Sequence, residues 1–330
     1  MHDTVLQRLQ ALGLIGPGEL ADVEPLTGGV SSDIVLVTTR SGRRFCVKQA
    51  LPRLKVQAVW EAPVGRNAAE VAWMRTVARW LPGCVPAILG EDRDHGLFAM
   101  EYLPPATHPV WKAELMLGRT DPDFAAAVGR ALVAIHARSA GEVELAPLFA
   151  NDATFEPIRI DPYLRAAASV HPDLAERLNH LADRTLATKL ALVHGDVSPK
   201  NILHGAHGPV FLDAECACWG DPAFDLAFCL NHLLLKAARR PDLREEYQMD
   251  FTAMATAYRA GIAWEPAAEL EMRCATLLPA LMLARIDGKS PVEYLDDGQR
   301  GRVRRVARTM LLAPGTTLDA VAQHWSGADA

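Results

Sequence analysis

The chain has 330 residues, half of them hydrophobic and 22% charged, with a formal net charge of -6. That length allows two compact units around one cleft or one large domain, and the acidic balance argues against a nucleic-acid binder that works through a basic surface. The opening MHDTVLQRLQALGL lacks a basic region followed by an apolar core, the apolar run ATLLPALMLA is too short to span a bilayer, and the six cysteines lack zinc-ligand spacing, so a cytoplasmic protein without a signal peptide is expected.

Short strand patterns dominate up to about residue 105. Residues 23–26, 34–38 and 44–49 alternate or run with β-branched side chains, and the turns TGGVSSD and RSGR separate them, which predicts an antiparallel meander. A helix is predicted over about 67–81 and a further strand over 97–102. Pro104 and Pro105 then break the chain as a hinge. Beyond them helical patterns take over. Residues 123–139 carry Phe124, Val128, Leu132 and Ile135 at helical spacing. Residues 224–238 and 266–285 read as largely buried helices; Pro266 suits a first helical position, and Pro279 is expected to kink or divide the second. The exception is NILHGAHGPVFLD, a short hairpin. The pattern predicts an α+β fold in two lobes, a small antiparallel-sheet lobe over 1–103 and a larger, mostly helical lobe over 104–330, with a cleft between them.

The segment HGDVSPKNIL, followed by GPVFLDAECACWGDPAFDLA, says most about chemistry. Asp196 follows the apolar run 190–193 and so sits at the end of an element. There an aspartate can orient an attacking hydroxyl and take its proton. Asn201, five residues on, can turn back to hold a magnesium ion, and Asp213, after the strand 210–212, can hold the metal that bridges phosphates. Two oxygen ligands on element ends suit magnesium, which keeps most of its waters. An aspartate before Ser-Pro is by itself an ordinary turn former, and the downstream spacing of Asn201 and Asp213 is what favours catalysis. Glu215 lies on the same face as Asp213 if the chain stays extended, where it can touch the metal shell or an acceptor; otherwise it stands in solvent.

HGD with Asn201, then LDAE and GDPAFDLA, resembles the aminoglycoside phosphotransferase and choline kinase superfamily, small-molecule kinases with a protein-kinase-like fold. His194-Gly195 stands where protein kinases have His-Arg, and Asp-Ala-Glu where they have Asp-Phe-Gly; both departures favour a metabolite kinase. The resemblance implies ATP and magnesium, transfer of the γ-phosphoryl group to a hydroxyl acceptor, and a structural Asp225 that braces the catalytic loop. Asp221 and Pro222 suit the cap and first position of the next helix. The runs GDPAFDLA and ARIDGKSP resemble methylthioribose kinases more than aminoglycoside kinases. Those kinases lack the Asn that this chain has at Asn201, so their substrate is not carried over.

The sheet lobe supplies the remaining expectations. Lys48, on a strand beside Phe45 and Val47, can pair with nucleotide phosphates. Glu70 lies on the apolar stripe of its helix with Met74, Val77 and Leu81, where a carboxylate wants a cation, and Lys48 is the natural one. A capping box between Asn67 and Glu70 competes with that pair, and Glu61 is the alternative partner for the lysine. Gly28, Gly29 and Ser31 lie between two strands at about the distance from Lys48 that the resemblance requires of a phosphate-covering loop. Main-chain groups of Glu101 and Leu103 then meet the purine, which leaves no side-chain signature to separate ATP from GTP. In the helical lobe, Arg159 and Arg285 are the acceptor-binding candidates. Mixed charges there favour a sugar or small amino alcohol at least as much as a polycationic aminoglycoside. A nucleotide-binding pseudokinase serving as scaffold or sensor is the alternative, against which Lys48, Asp196, Asn201 and Asp213 are all present. No nucleic-acid, membrane or protein partner is expected.

Overall fold

The structure, a computed structural model, describes residues 2–26, 32–50 and 66–327. Helix α1 (His2–Ala11) precedes strands β1 (Ala21–Pro25), β2 (Ser32–Thr39) and β3 (Arg44–Ala50); helix α2 (Arg66–Trp80) and strands β4 (Ile88–Asp92) and β5 (Leu97–Glu101) follow. The strands form one antiparallel sheet in the order β1-β2-β3-β5-β4. Alternation along β3 sorts its side chains onto two faces. Phe45 and Val47 pack with Val5 and Leu9 of α1 in a small core, while Cys46 belongs to the main core with Val71 and Met74 of α2. Lys48 shares the Cys46 face and points toward α2. Sequence patterning missed β4, because Gly90, Glu91 and Asp92 interrupt any apolar alternation; β5 supplies its ladder partner.

The rest is mostly helical. Helices α3 (Trp111–Met116) and α4 (Pro122–Ala140) are followed by the short α5 (Asp152–Phe155), a π-helical stretch Glu156–Arg165, α6 (Ala166–Val170) and α7 (Ala175–Ala187). Strand β6 (Ala191–Val193) pairs with β9 (Cys218–Gly220), and β7 (Ile202–Gly205) with β8 (Gly208–Phe211) forms the expected hairpin. Helices α8 (Pro222–Arg239), α9 (Arg244–Arg259), α10 (Ala267–Asp287), α11 (Asp297–Leu312) and α12 (Leu318–Gly327) complete the chain. Asp221 caps α8 by accepting from the Ala223 N–H at 3.0 Å, with Pro222 at the first position. Every α8 residue from Pro222 to Ala238 is buried, so this helix is the axis of the main core, packed by α9 and α10.

One position and one of two alternatives expected for α10 need correction: the structure excludes division at Pro279. Pro266 is the N-cap of α10, not its first residue, and α10 runs through Pro279 as one element. An interior proline costs about 3 kcal/mol. Leu277, Leu278, Leu281 and Leu283 are fully buried around it, and at about 1.5–3 kcal/mol each their burial outweighs that cost. Among the described residues no helix is long and apolar enough to cross a membrane.

Candidate active site

The loop after β6 is built by close packing. Gly195 has φ +80°, and a Cβ there would stand 2.7 Å from the Cys216 carbonyl, so only glycine fits. Asp225 of α8 is fully buried and accepts from the His194 and Gly195 N–H groups at 2.7 and 2.9 Å. His194 Nδ1 accepts from the Asp196 N–H at 3.1 Å, and its Nε2 donates to the Leu212 carbonyl at 3.0 Å, which fixes a neutral tautomer. Burial holds its pKa below the ordinary histidine value, in keeping with that assignment. The Trp73 ring of α2 stands edge-on to His194 with centroids 4.8 Å apart. Asp225→Ala would strand two buried N–H groups, each worth roughly 1–3 kcal/mol. A stability loss of at least about 2 kcal/mol is expected in denaturant melts; an unchanged midpoint would show that the loop holds itself.

Asp196 is 2% exposed, and three donors converge on its Oδ2: Arg159 Nη2 at 2.7 Å, Asn201 Nδ2 at 2.9 Å and Lys200 Nζ at 3.2 Å. No donor among the described residues reaches Oδ1, which leaves that oxygen for an incoming hydroxyl. Arg159 comes from the π-helical stretch, a form enriched at functional sites. Its Nε donates to the Gly195 carbonyl at 2.8 Å and its Nη1 to the Ile158 carbonyl at 3.0 Å. The guanidinium is thus anchored on the loop beside Asp196. Sequence reasoning missed Lys200; its one signal was a cation four residues after Asp196.

Asn201 is pinned by its own backbone, donating to the Ser198 carbonyl at 2.8 Å and accepting from the Leu212 N–H at 2.9 Å. Because its Nδ2 faces Asp196, its Oδ1 is the pole left to hold a cation. Asp213 sits at φ +66°, the left-handed region that costs a non-glycine residue about 1–3 kcal/mol and recurs at functional sites. One of its oxygens meets Lys48 Nζ at 2.5 Å, and the same Nζ meets Glu70 Oε2 at 2.7 Å. Asn67 instead donates to the Gly96 carbonyl at 2.6 Å, so the lysine pair forms and the capping box does not. Burial disfavours the Lys48 charge, but Asp213, Glu70 and Glu215 outweigh it and hold the ammonium well above its ordinary pKa. Burial likewise pushes Asp213 up, yet Lys48 and Lys200 draw it below the ordinary carboxylate range. Glu70 is pushed up to about 7, chiefly by burial.

Glu215 is neither solvated nor on an extended chain. The Ala217 N–H closes a turn onto the Ala214 carbonyl at 3.0 Å, and Arg66 Nε holds the buried carboxylate at 3.1 Å. Three acids, Glu70, Asp213 and Glu215, thus gather around two cations, Lys48 and Arg66. Among the described residues no three His, Cys, Asp or Glu side chains form a closed metal cage. Two outward oxygens, Asn201 Oδ1 and the second Asp213 oxygen, suit a magnesium ion that fills its shell with water and phosphate.

Of the other expected residues, Glu101 gives its N–H to the Ala87 carbonyl at 2.9 Å, so of its two backbone groups only the carbonyl can meet a nucleotide. Arg285 donates to the Ser290 carbonyl, to Ser290 Oγ at 2.8 Å and to the Tyr163 hydroxyl at 3.4 Å. Gly28, Gly29, Ser31 and Glu61 lie outside the described residues.

The model of the phosphotransferase enzyme family matches residues 22–270. A methylthioribose kinase of Pectobacterium atrosepticum is 24% identical, over 99% of this chain and 95% of the relative. Among solved structures, a choline/ethanolamine kinase family protein from Mesorhizobium loti aligns with TM-score 0.55 at 18% identity, over 99% of this chain and 98% of that one. An amicoumacin kinase, in complex with AMP-PNP and Ca2+, aligns with TM-score 0.59 at 14% identity, over 96% and 95%. These structures share the two-lobed, kinase-like fold.

Proposed function

The chain belongs to the phosphotransferase enzyme family and is a small-molecule kinase, and we propose that it uses ATP and magnesium to phosphorylate a hydroxyl of a sugar-like acceptor. The observation that carries this reading is the junction at Lys48, where a strand, a helix and a loop up to 165 residues apart converge on one ammonium. Lys48 is assigned to the nucleotide phosphates, with Glu70 holding it in place. Asn201 and Asp213 would hold the magnesium, whose charge offsets that developing on the transferred group. Asp196 Oδ1 orients the acceptor hydroxyl and takes its proton, while Arg159, Lys200 and Asn201 fix the carboxylate from the other side. Positioning and charge neutralisation supply the rate, without a covalent intermediate on the enzyme. The Glu101 carbonyl and the Leu103 N–H are assigned to the purine edge, and Gly28, Gly29 and Ser31 to the phosphates. Glu215, tied to Arg66, stands beside Asp213 as a support for the metal side of the site. A sugar-like acceptor is favoured because the curated relatives are named methylthioribose kinases.

Release of ADP, measured with magnesium across methylthioribose, other sugars and sugar acids, choline-like amino alcohols, homoserine and aminoglycosides, tests the reading. Stimulation by a polyhydroxy acceptor is expected. Stimulation by amino alcohols alone would reject the sugar assignment, and failure to bind ATP or GTP at all would reject the kinase site.

A further inference from the structure

One stripe of α8 carries Phe228, His232 and Lys236 at successive four-residue steps. Phe228 lies against Tyr163 of the π-helical stretch, ring centroids 5.6 Å apart, and against His232 at 5.4 Å. Arg285 of α10 stands over the Tyr163 ring, 5.7 Å from its centroid. Lys236 Nζ lies 3.8 Å from the Tyr294 ring centroid, and Lys112 Nζ reaches the same ring at 5.8 Å. This wall adjoins the catalytic loop through the π-helical stretch, whose Tyr163 lies on Phe228 and whose Arg159 meets Asp196 at 2.7 Å and the Gly195 carbonyl at 2.8 Å.

Among the described residues around Lys236, the cations Lys112, Arg285 and Arg239 outnumber the acid Glu293. Lys236 is 1% exposed, yet no carboxylate or other hydrogen-bond acceptor among the described residues meets its ammonium. Among the described residues Arg285 meets only the Ser290 and Tyr163 oxygens, its buried Nε has no partner, and neither does the buried Tyr294 hydroxyl. Arg239 donates to the Met116 carbonyl. Glu293, the acid that faces the group among the described residues, is exposed and already held by Lys112 at 2.7 Å. Burial, then Lys112, Arg285 and Arg239, depress the Lys236 pKa to about 7 against the opposing pull of Glu293, and burial with Arg285, Lys236, Lys200 and Lys112 keeps His232 neutral. Burying an ammonium without a counter-charge is unfavourable, and one aromatic ring returns only part of that cost. A methionine would fill the space without the cost, so packing alone does not account for a lysine here.

We propose that the acceptor carries an oxyanion, held by Lys236 and Arg285, while its hydroxyl is delivered to Asp196. This deepens the kinase reading and rests on it. It selects for sugar acids or sugar phosphates and against cationic aminoglycosides and amino alcohols, which this wall repels.

The test is calorimetric titration of the full chain with D-gluconate, ribose 5-phosphate, methylthioribose and kanamycin, in wild type and Lys236→Met. Binding of gluconate identifies a carboxylate and binding of ribose 5-phosphate a phosphoryl group; either is expected to weaken at least about tenfold in the variant. In wild type, gluconate, whose carboxylate stays ionised throughout, should bind about tenfold more tightly at pH 6 than at pH 8.5, because Lys236 loses its proton between them, and that pH effect should vanish in the variant; for ribose 5-phosphate, whose own phosphate titrates at about pH 6, the pH dependence of the wild-type-to-variant affinity ratio carries the same test. Binding of methylthioribose or kanamycin with neither anion bound, or anion binding indifferent to Lys236→Met and to pH, overturns the proposal. An ATP analogue with magnesium, titrated in parallel, separates the failures: its binding upholds the kinase site whatever the acceptor result, and its absence sinks that site first.

Discussion

Asp196→Asn is expected to lower turnover by about 10²–10⁴-fold while magnesium–ATP binds as in wild type. Three donors fix one oxygen of this carboxylate, so the asparagine has two unfavourable choices. Its NH2 either faces Arg159, Lys200 and Asn201, donor against donor, or takes the other position and presents a donor to the acceptor hydroxyl. Neither arrangement accepts a proton. Because the change removes an interaction made in the transition state, kcat should fall and the nucleotide affinity should not. Steady-state kinetics with calorimetry of the same preparations separates these quantities. Unchanged turnover would remove Asp196 from the mechanism. A loss of nucleotide binding equal to the loss of rate would make it a structural residue of the loop.

The second large effect is expected at Asp213. Asp213→Ala should abolish the magnesium-dependent part of nucleotide binding, a loss of at least about 10²-fold in affinity, given the 10–100-fold lost when even the outer partners of a metal site are changed. Magnesium-independent binding, carried by Lys48, should remain. Alanine also takes on the strain of φ +66°, so a control is needed. Asp213→Asn tolerates that backbone conformation and keeps the side-chain shape, yet removes the charge. Calorimetry with and without magnesium on both variants reads the metal role free of backbone strain. Normal magnesium-dependent binding in both would reject the assignment.

Much of this arrangement was legible in the chain. β-Branched alternation marked β2 and β3, and the period of Phe124, Val128, Leu132 and Ile135 marked α4, because each of those elements carries its own pattern. Asp196, Asn201 and Asp213 were findable because one loop and one hairpin set their spacing. What was hidden depends on tertiary placement. The Arg66–Glu215 pair spans 149 residues and leaves no local trace. Arg159 sits in EPIRIDPYLR, whose two prolines suggest a loop; the structure folds it as π-helix and turns the arginine onto Asp196. Pro279 does not divide α10, because a local rule on helix breaking cannot see the burial of the leucines around it. Lys236 reads in sequence as one cation near a helix end, and only the packing of α8 against Tyr294 shows it buried without a carboxylate.

The most direct test of the central claim is to follow ³¹P resonances of ATP, magnesium and the acceptor that most stimulates ADP release, in wild type and Asp196→Asn side by side. The expected result is growth of a phosphomonoester signal on the acceptor in step with ADP, fast in wild type and nearly absent in the variant. ATP loss that yields only inorganic phosphate, or a phosphomonoester formed equally fast by both proteins, would contradict it.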